Sequence, residues 1–278
     1  MNNKAITFKQ LHQPGNPLIM ANAWSAGSAV ILAEAGILAI GTTSAGIAYS
    51  HGVPDYQSRL SFDTALDETQ RIVDAVDIAV SMDAENGYGD SAEAVLANMQ
   101  RIIATGVVGA SIEDHFADPR QPLYDTELAV ERIAAAKQAT QTLDYPFMLT
   151  ARAECYLTGH PTPFKESVER ANRYREAGAD CIFVPGIRDI ETIKALVAEV
   201  DGPISVVMGL TGVPISVDEL GDAGVARISI GGSLARATFG LVRSAAKEML
   251  QHGTFDFAKQ QIADADLCAL FSESVKPK

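Results

Sequence analysis

The chain has 278 residues, 47% of them apolar, enough for a sizeable core in one large domain or two small ones. Its 35 Asp and Glu against 22 Lys and Arg leave a formal net charge of −13, which argues against a nucleic-acid partner or an anionic membrane surface. No apolar run reaches membrane-spanning length, and no basic-then-apolar signal pattern opens the chain. Three widely spaced cysteines without a CxxC pair give neither a disulfide framework nor a thiolate zinc site, so the expected setting is the reduced cytoplasm.

Short apolar runs recur at 17–23, 38–43, 78–83, 107–113, 147–151, 181–184, 204–208 and 227–230. Continuous runs of this length suit parallel strands covered on both faces. The segments between them are patterned as helices. SAEAVLANMQRIIATG (91–106) sets Ala94, Val95, Met99, Ile102 and Ile103 on one face and stops at a glycine, and segments 125–140 and 164–178 are similar. EAG at 34–36 and 176–178, and DAG at 222–224, each close a helix just before a strand. Eight βα units predict a single (β/α)8 TIM barrel over residues 1–278. An open doubly wound sheet is the alternative, but its first strand should run into GxGxxG, and here it runs into NAWSAGS (22–28). An additional C-terminal helical segment is expected over 233–272. Within it Phe255, Phe257, Ile262, Leu267 and Leu270 carry more apolar surface than one barrel covers, so a homo-oligomer is expected, a dimer or a tetramer.

Catalytic groups of such barrels sit at the C-terminal ends of the strands. Those ends hold Asn22 and Trp24; Thr43, Ser44 and Ala45; Asp83 and Glu85; Glu113, Asp114 and His115; Arg152 and Glu154; and Gly231, Gly232 and Ser233. In SMDAENGYGD (81–90), Asp83 and Glu85 stand at i and i+2 and point to one side of an extended segment. They repel unless a cation or a hydrogen-bond network separates them. A solvated turn is the plain reading of those ten residues alone. Five acids and one arginine on one mouth favour a hard cation, Mg²⁺ or alternatively Mn²⁺. Arg152 ends an apolar strand and suits two-pronged recognition of a substrate carboxylate, against the plainer role of pairing with Glu154 or another acid. The backbone N–H groups of TTSAG (42–46) are placed to cradle a carboxylate or an enolate oxygen. His115 is the leading titrating candidate, equally readable as a surface histidine. No lysine falls at a strand end, which disfavours a Schiff-base aldolase, and Cys155 reads as packing.

GTTSAGIAYSHGVPD (41–55), DAENGYGD (83–90), GASIEDH (109–115), ARAECY (151–156) and AGADCIFVPG (177–186) resemble the isocitrate lyase/phosphoenolpyruvate mutase superfamily across most of the barrel, in the same order. The resemblance implies Mg²⁺ bound through Asp83, with Glu85 and Glu113 holding its waters and Asp55 near the metal shell. It implies an α-keto acid gripped by the Ser44 and Ala45 amides with Arg152, helical exchange between subunits in a tetramer, and a pyruvate-like enolate intermediate.

The departures are local. The lyase branch carries K-[KR]-C-G-H after the fourth strand, whereas this chain reads HFADPRQPLYD (115–125), without cysteine or lysine and unlike the asparagine-bearing mutase loop. Pro185 stands where many mutase-like members have histidine, and Glu85 replaces the commoner aspartate. The expected activity is therefore a Mg²⁺-dependent carbon–carbon lyase or decarboxylase on a small α-keto or α-hydroxy (di)carboxylic acid. Catalysis is assigned to Arg152, His115 and Glu113, substrate contacts to Thr43, Ser44, Ala45, Asp83, Arg152 and Arg120, and the metal to Asp83, Glu85, Glu113 and Asp55. Loop 115–125 is expected to be a lid that brings Arg120 to a distal carboxylate and His115 to the enolate carbon. The alternatives are a phosphonopyruvate hydrolase or phosphoenolpyruvate mutase-like P–C enzyme, and a non-catalytic α-keto acid-binding protein.

Overall fold

The computed structural model describes residues 2–55, 59–210 and 214–274. Every expected strand forms: β1 (Leu18–Ala23), β2 (Ala39–Thr42), β3 (Ala79–Asp83), β4 (Gly109–Glu113), β7 (Met148–Arg152), β8 (Cys181–Phe183), β9 (Ile204–Val207) and β10 (Arg227–Ser229). All pair in parallel, and the sheet closes on itself where β10 meets β1. The structure is the expected (β/α)8 barrel. Residues of alternate parity fill two layers. Ile40, Val80, Ala110, Ile112, Leu149, Ile182, Val206 and Ile228 are buried between sheet and helices, which is why the strands read as unbroken apolar runs.

The helices begin and end where the sequence places caps. Ser91 Oγ accepts the Ala94 N–H at 3.2 Å and starts α5 (Ala92–Ala104). Gly178 takes φ +106° after α7 (Pro163–Glu176), a left-handed turn that an L side chain adopts only with strain. The N-terminal helix α1 (Asn3–Gln10) closes the lower end of the barrel, where Phe8 packs among Leu18, Met20, Ala39, Ala79, Val108, Met148 and Cys181. The upper end stays open. Gly41, Ser81, Ser111 and Ser229 stand on the inner face where barrels commonly carry Val, Ile or Leu, so a cavity of about 250 Å³ runs from the mouth into the interior.

Loop 115–125 forms a short antiparallel hairpin, β5 (His115–Asp118) and β6 (Gln121–Leu123). The C-terminal segment is helical in three pieces: α10 (Ser233–His252), a 3-10 turn (Asp256–Gln260) and α11 (Asp264–Ser274). In the single chain α11 lies against α2 (Ala26–Glu34). Phe239, Leu241, Val242, Leu250, Phe255 and Ile262 are left exposed along this segment. Among the described residues no helix is long and apolar enough to cross a membrane.

Candidate active site

Asp83, Glu113 and Arg152 end β3, β4 and β7, three neighbouring strands, with Glu113 and Arg152 directly opposite in register. Arg152 is 7% exposed and faces three carboxylates. Its Nε donates to Glu154 Oε1 at 2.9 Å, its Nη1 to Asp83 Oδ1 at 3.0 Å, and its Nη2 lies 2.9 Å from Glu113 Oε2. The Phe183 ring lies 5.2 Å from the guanidinium carbon. Asp83 is held from the β2 side too. Its N–H donates to Thr42 Oγ1 at 2.9 Å, and its Oδ2 accepts the Ser44 N–H at 3.1 Å, at the start of α3 (Ser44–Ser50). Asp114 turns the other way and braces the wall: Oδ1 accepts the Glu154 N–H, and Oδ2 accepts Tyr174 OH at 2.6 Å and Arg170 Nη1 at 3.2 Å.

The loop after β3 is pinned from outside. Arg132 of α6 (Thr126–Thr140) is buried over the Tyr124 ring at 3.9 Å and donates to the carbonyls of Asn86, Gly89 and Asp90. Tyr124 OH donates to Asp90 Oδ1 at 2.6 Å, and Asn98 Nδ2 to the Gly87 and Tyr88 carbonyls. Within that frame Glu85 is held at φ +45° and Tyr88 at +54°, uncommon conformations for non-glycine residues. Tyr88 OH donates to Glu85 Oε1 at 3.2 Å. That hydrogen bond orients the Glu85 carboxylate.

The mouth carries more negative charge than Arg152 neutralises. Burial, then Asp83 and Asp55, push Glu85 up to about 7. Burial raises Glu113 well above the carboxylate range, against the opposing pull of Arg152, and raises Glu154 as well. Glu113 Oε2 is buried and accepts no hydrogen bond among the described residues, touching Arg152 only as an ion pair. Among the described residues no three carboxylate, imidazole or thiol groups converge closely enough to enclose an ion by themselves. This donor set fits a hard cation that keeps several of its waters, as Mg²⁺ does. It consists of oxygen ligands in excess of the local positive charge, one of them an unsatisfied buried acceptor.

A titration tests that fit. The folded chain raises Glu85 from 4.5 to about 7, so stability from this group is present at acid pH and is lost as the pH rises through about 7. The loss is on the order of 3 kcal/mol. EDTA-treated protein should melt at falling temperature between about pH 5 and 7.5, and Mg²⁺ should flatten that fall. Superimposable melting curves with EDTA and with Mg²⁺ at every pH would speak against the cation site.

Thr43, Ser44, Ala45, Asp55, Asp83 and Arg152 all line the central cavity. Three of the expected site residues have other partners or positions in the single chain. The Ser44 amide donates to Asp83 and so orients a carboxylate of the chain. Arg120 does not reach the mouth. It is 89% exposed at the hairpin turn, where Nε and Nη2 both engage Asp118, and it lines an outer groove with His160 and Arg170. His115 is half-buried at the base of the hairpin and outside the cavity lining; burial lowers its pKa against the opposing effect of Asp114. Arg120→Ala is accordingly expected to leave kcat/KM within about two-fold, since exposed ion pairs contribute little. A large loss confined to dicarboxylate substrates would restore the lid role. Two cavity-lining arginines do not lie at C-terminal strand ends and are not among the residues expected from the sequence: Arg236, in the first turns of α10, and Arg227, low on β10.

Fold and site together define a (β/α)8-barrel protein with an acidic mouth built around one buried arginine. The sequence model of the phosphoenolpyruvate phosphomutase family matches residues 8–250, and the chain belongs to that family, within the isocitrate lyase/phosphoenolpyruvate mutase superfamily. A solved protein of Burkholderia cenocepacia J2315, assigned provisionally as a lyase/mutase, is 42% identical and superposes with a TM-score of 0.93 over 98% of this chain and 96% of its own. The 2-methylisocitrate lyase of Escherichia coli K12 is 29% identical over 211 residues, 70% of this chain and 69% of its own. A solved 2,3-dimethylmalate lyase is 26% identical, with a TM-score of 0.86 over 98% of this chain and 96% of its own. Relatives that are lyases and mutases support a lyase-type enzyme.

Proposed function

We propose that the chain is a Mg²⁺-dependent carbon–carbon lyase or decarboxylase acting on a small α-keto or α-hydroxy dicarboxylic acid. The observation that carries this reading is the surplus of buried carboxylate around Arg152 at the open end of a cavity sized for a small acid. Asp83 would hold the ion, with Glu85, Glu113 and Asp55 around it. When bound, the ion polarises a substrate oxygen and offsets the negative charge that builds as the bond breaks. With its acids sharing the charge of a cation, Arg152 is freed to present its planar N–H groups to the substrate carboxylate. Thr43 and Ala45 line the same wall. Arg236 forms no ion pair among the described residues and stands at the rim, where it meets a distal carboxylate in the role expected of Arg120. A proton-donor role for His115 requires the β5–β6 hairpin to swing over the mouth, with Glu113 as the other titrating group beside Arg152.

The names of two relatives, 2-methylisocitrate lyase and 2,3-dimethylmalate lyase, denote hydroxylated polycarboxylic acids and support that substrate class. Product analysis with Mg²⁺ across oxaloacetate, substituted malates, methylisocitrate and phosphonopyruvate tests it. The expected products are carbon dioxide or a second carboxylic acid. Phosphate from phosphonopyruvate alone would move the assignment to P–C chemistry, and ligand-induced stabilisation without turnover would make it a binding protein. The apolar side chains exposed along α10 and the segment after it support a homo-oligomer that covers them with a second copy. Light scattering giving the mass of a single chain at micromolar concentration would refute it.

A further inference from the structure

The barrel interior contains a second guanidinium that the acidic mouth does not use. Arg227 opens β10 and is 2% exposed. It is in register with Ser205, Ser205 with Phe183, Phe183 with Arg152, and Arg152 with Glu113. The two arginines therefore share the inward face, three strands apart. Because barrel strands tilt, such a row climbs from the start of one strand toward the end of another. Arg152 stands at the mouth and Arg227 near the floor that α1 closes.

Its partners are neutral. Nε donates to Ser205 Oγ at 2.9 Å, and Nη1 lies 3.3 Å from His12 Nε2. His12 Nδ1 is 2.8 Å from the Phe8 carbonyl, which places the ring proton on Nδ1 and leaves the Nε2 lone pair facing Arg227. Burial, with Arg227 second, lowers His12 to about 3, so the imidazole carries no charge at ordinary pH. Among the described residues Arg227 forms no ion pair. A buried charge without a counter-charge is strongly disfavoured. Arg227 also lines the central cavity, together with Ser81, Ser111 and Ser229. That cavity, about 250 Å³ in all, is also lined by Asp83 and Arg152 at the mouth, so the floor and the mouth are continuous.

We propose that the floor of the barrel cavity is a binding subsite for a small monovalent anion held by Arg227. The anion is either a free halide-sized ion or the carboxylate arm of a molecule that enters from the mouth. The subsite does not depend on the reaction proposed above and stands or falls separately.

Melting curves of the whole chain in Mg²⁺ test it, with sodium bromide or succinate against a bulky sulfonate of equal ionic strength. The expected result is a saturable rise of roughly 2–4 °C at ten times the Kd, lost in Arg227→Met. A rise with bromide identifies a free ion, and one with succinate but not acetate identifies a carboxylate arm. Ser229→Val keeps the guanidinium and narrows the floor, so it should also lose the effect even where Arg227→Met fails to fold. Bromide-soaked crystals should show an anomalous peak beside Arg227. No anion-specific rise, a rise that both variants retain, or only water beside Arg227 in the soaked crystals would overturn the proposal.

Discussion

Arg152→Met is expected to cost the chain about 3–5 kcal/mol of stability at neutral pH, because it removes one member of a buried charge cluster and leaves the others uncompensated. Asp83, Glu113 and Glu154 all face this guanidinium, the last two almost fully buried. Glu113 and Glu154 already sit above the ordinary carboxylate range with the arginine present, and its removal raises them further. The penalty should therefore shrink as the pH falls toward 5 and the acids take up protons. Urea unfolding at the two pH values measures both quantities. Arg152→Lys separates fold from function, since it keeps the charge but not the two-pronged donor. It should retain most of the stability and still weaken oxalate binding in Mg²⁺. Stability of the methionine variant within about 0.5 kcal/mol of the parent, the range typical of surface substitutions, would show that the mouth tolerates its acids without the arginine.

The barrel was legible in the sequence for a simple reason. Parallel strands buried on both faces need unbroken apolar runs, and helix ends that turn back into strands need residues such as Gly178. The carboxylates and the arginine at the mouth were legible because the fold sends strand ends to one place. What each group does there was not. Strand-end position does not say whether Arg152 meets a ligand or three acids, or that the Ser44 amide holds Asp83. Nor did the cast of strand ends include Arg227, whose presence in an otherwise apolar run was itself a signal. The hairpin was missed although its turn is written in Asp118-Pro119-Arg120-Gln121. Pro suits the second position of a tight turn, and an Asp before it bonds the backbone two residues on. Here Asp118 Oδ1 accepts the Arg120 N–H at 2.9 Å, and the same carboxylate draws the Arg120 side chain away from the mouth. The clamp of Arg132 and Tyr124 on the loop after β3 joins residues more than 30 positions apart, a distance no local pattern spans.

Asp83→Ala should reduce kcat/KM by at least about 10²–10³-fold, the loss typical of removing one group that stabilises developing charge, while leaving the barrel as stable as before or slightly more so. The two effects have one origin. Asp83 contributes to the upward shifts of Glu85, Glu113 and Glu154, so deleting it relieves repulsion among buried acids. Against that gain stand two lost hydrogen bonds, from the Ser44 N–H and from Arg152 Nη1. Neither holds the strand, because the residue 83 N–H still donates to Thr42 Oγ1 and the β3–β4 ladder is main chain. A functional carboxylate kept at some expense to stability is the pattern expected of an active site. Melting curves and initial rates, each with Mg²⁺ and with EDTA, read the two sides. The parent should be stabilised by Mg²⁺ and the variant should not. A variant that keeps its activity, or one that still gains stability from Mg²⁺ as the parent does, would remove Asp83 from the metal site and leave the acids of the mouth a matter of structure alone.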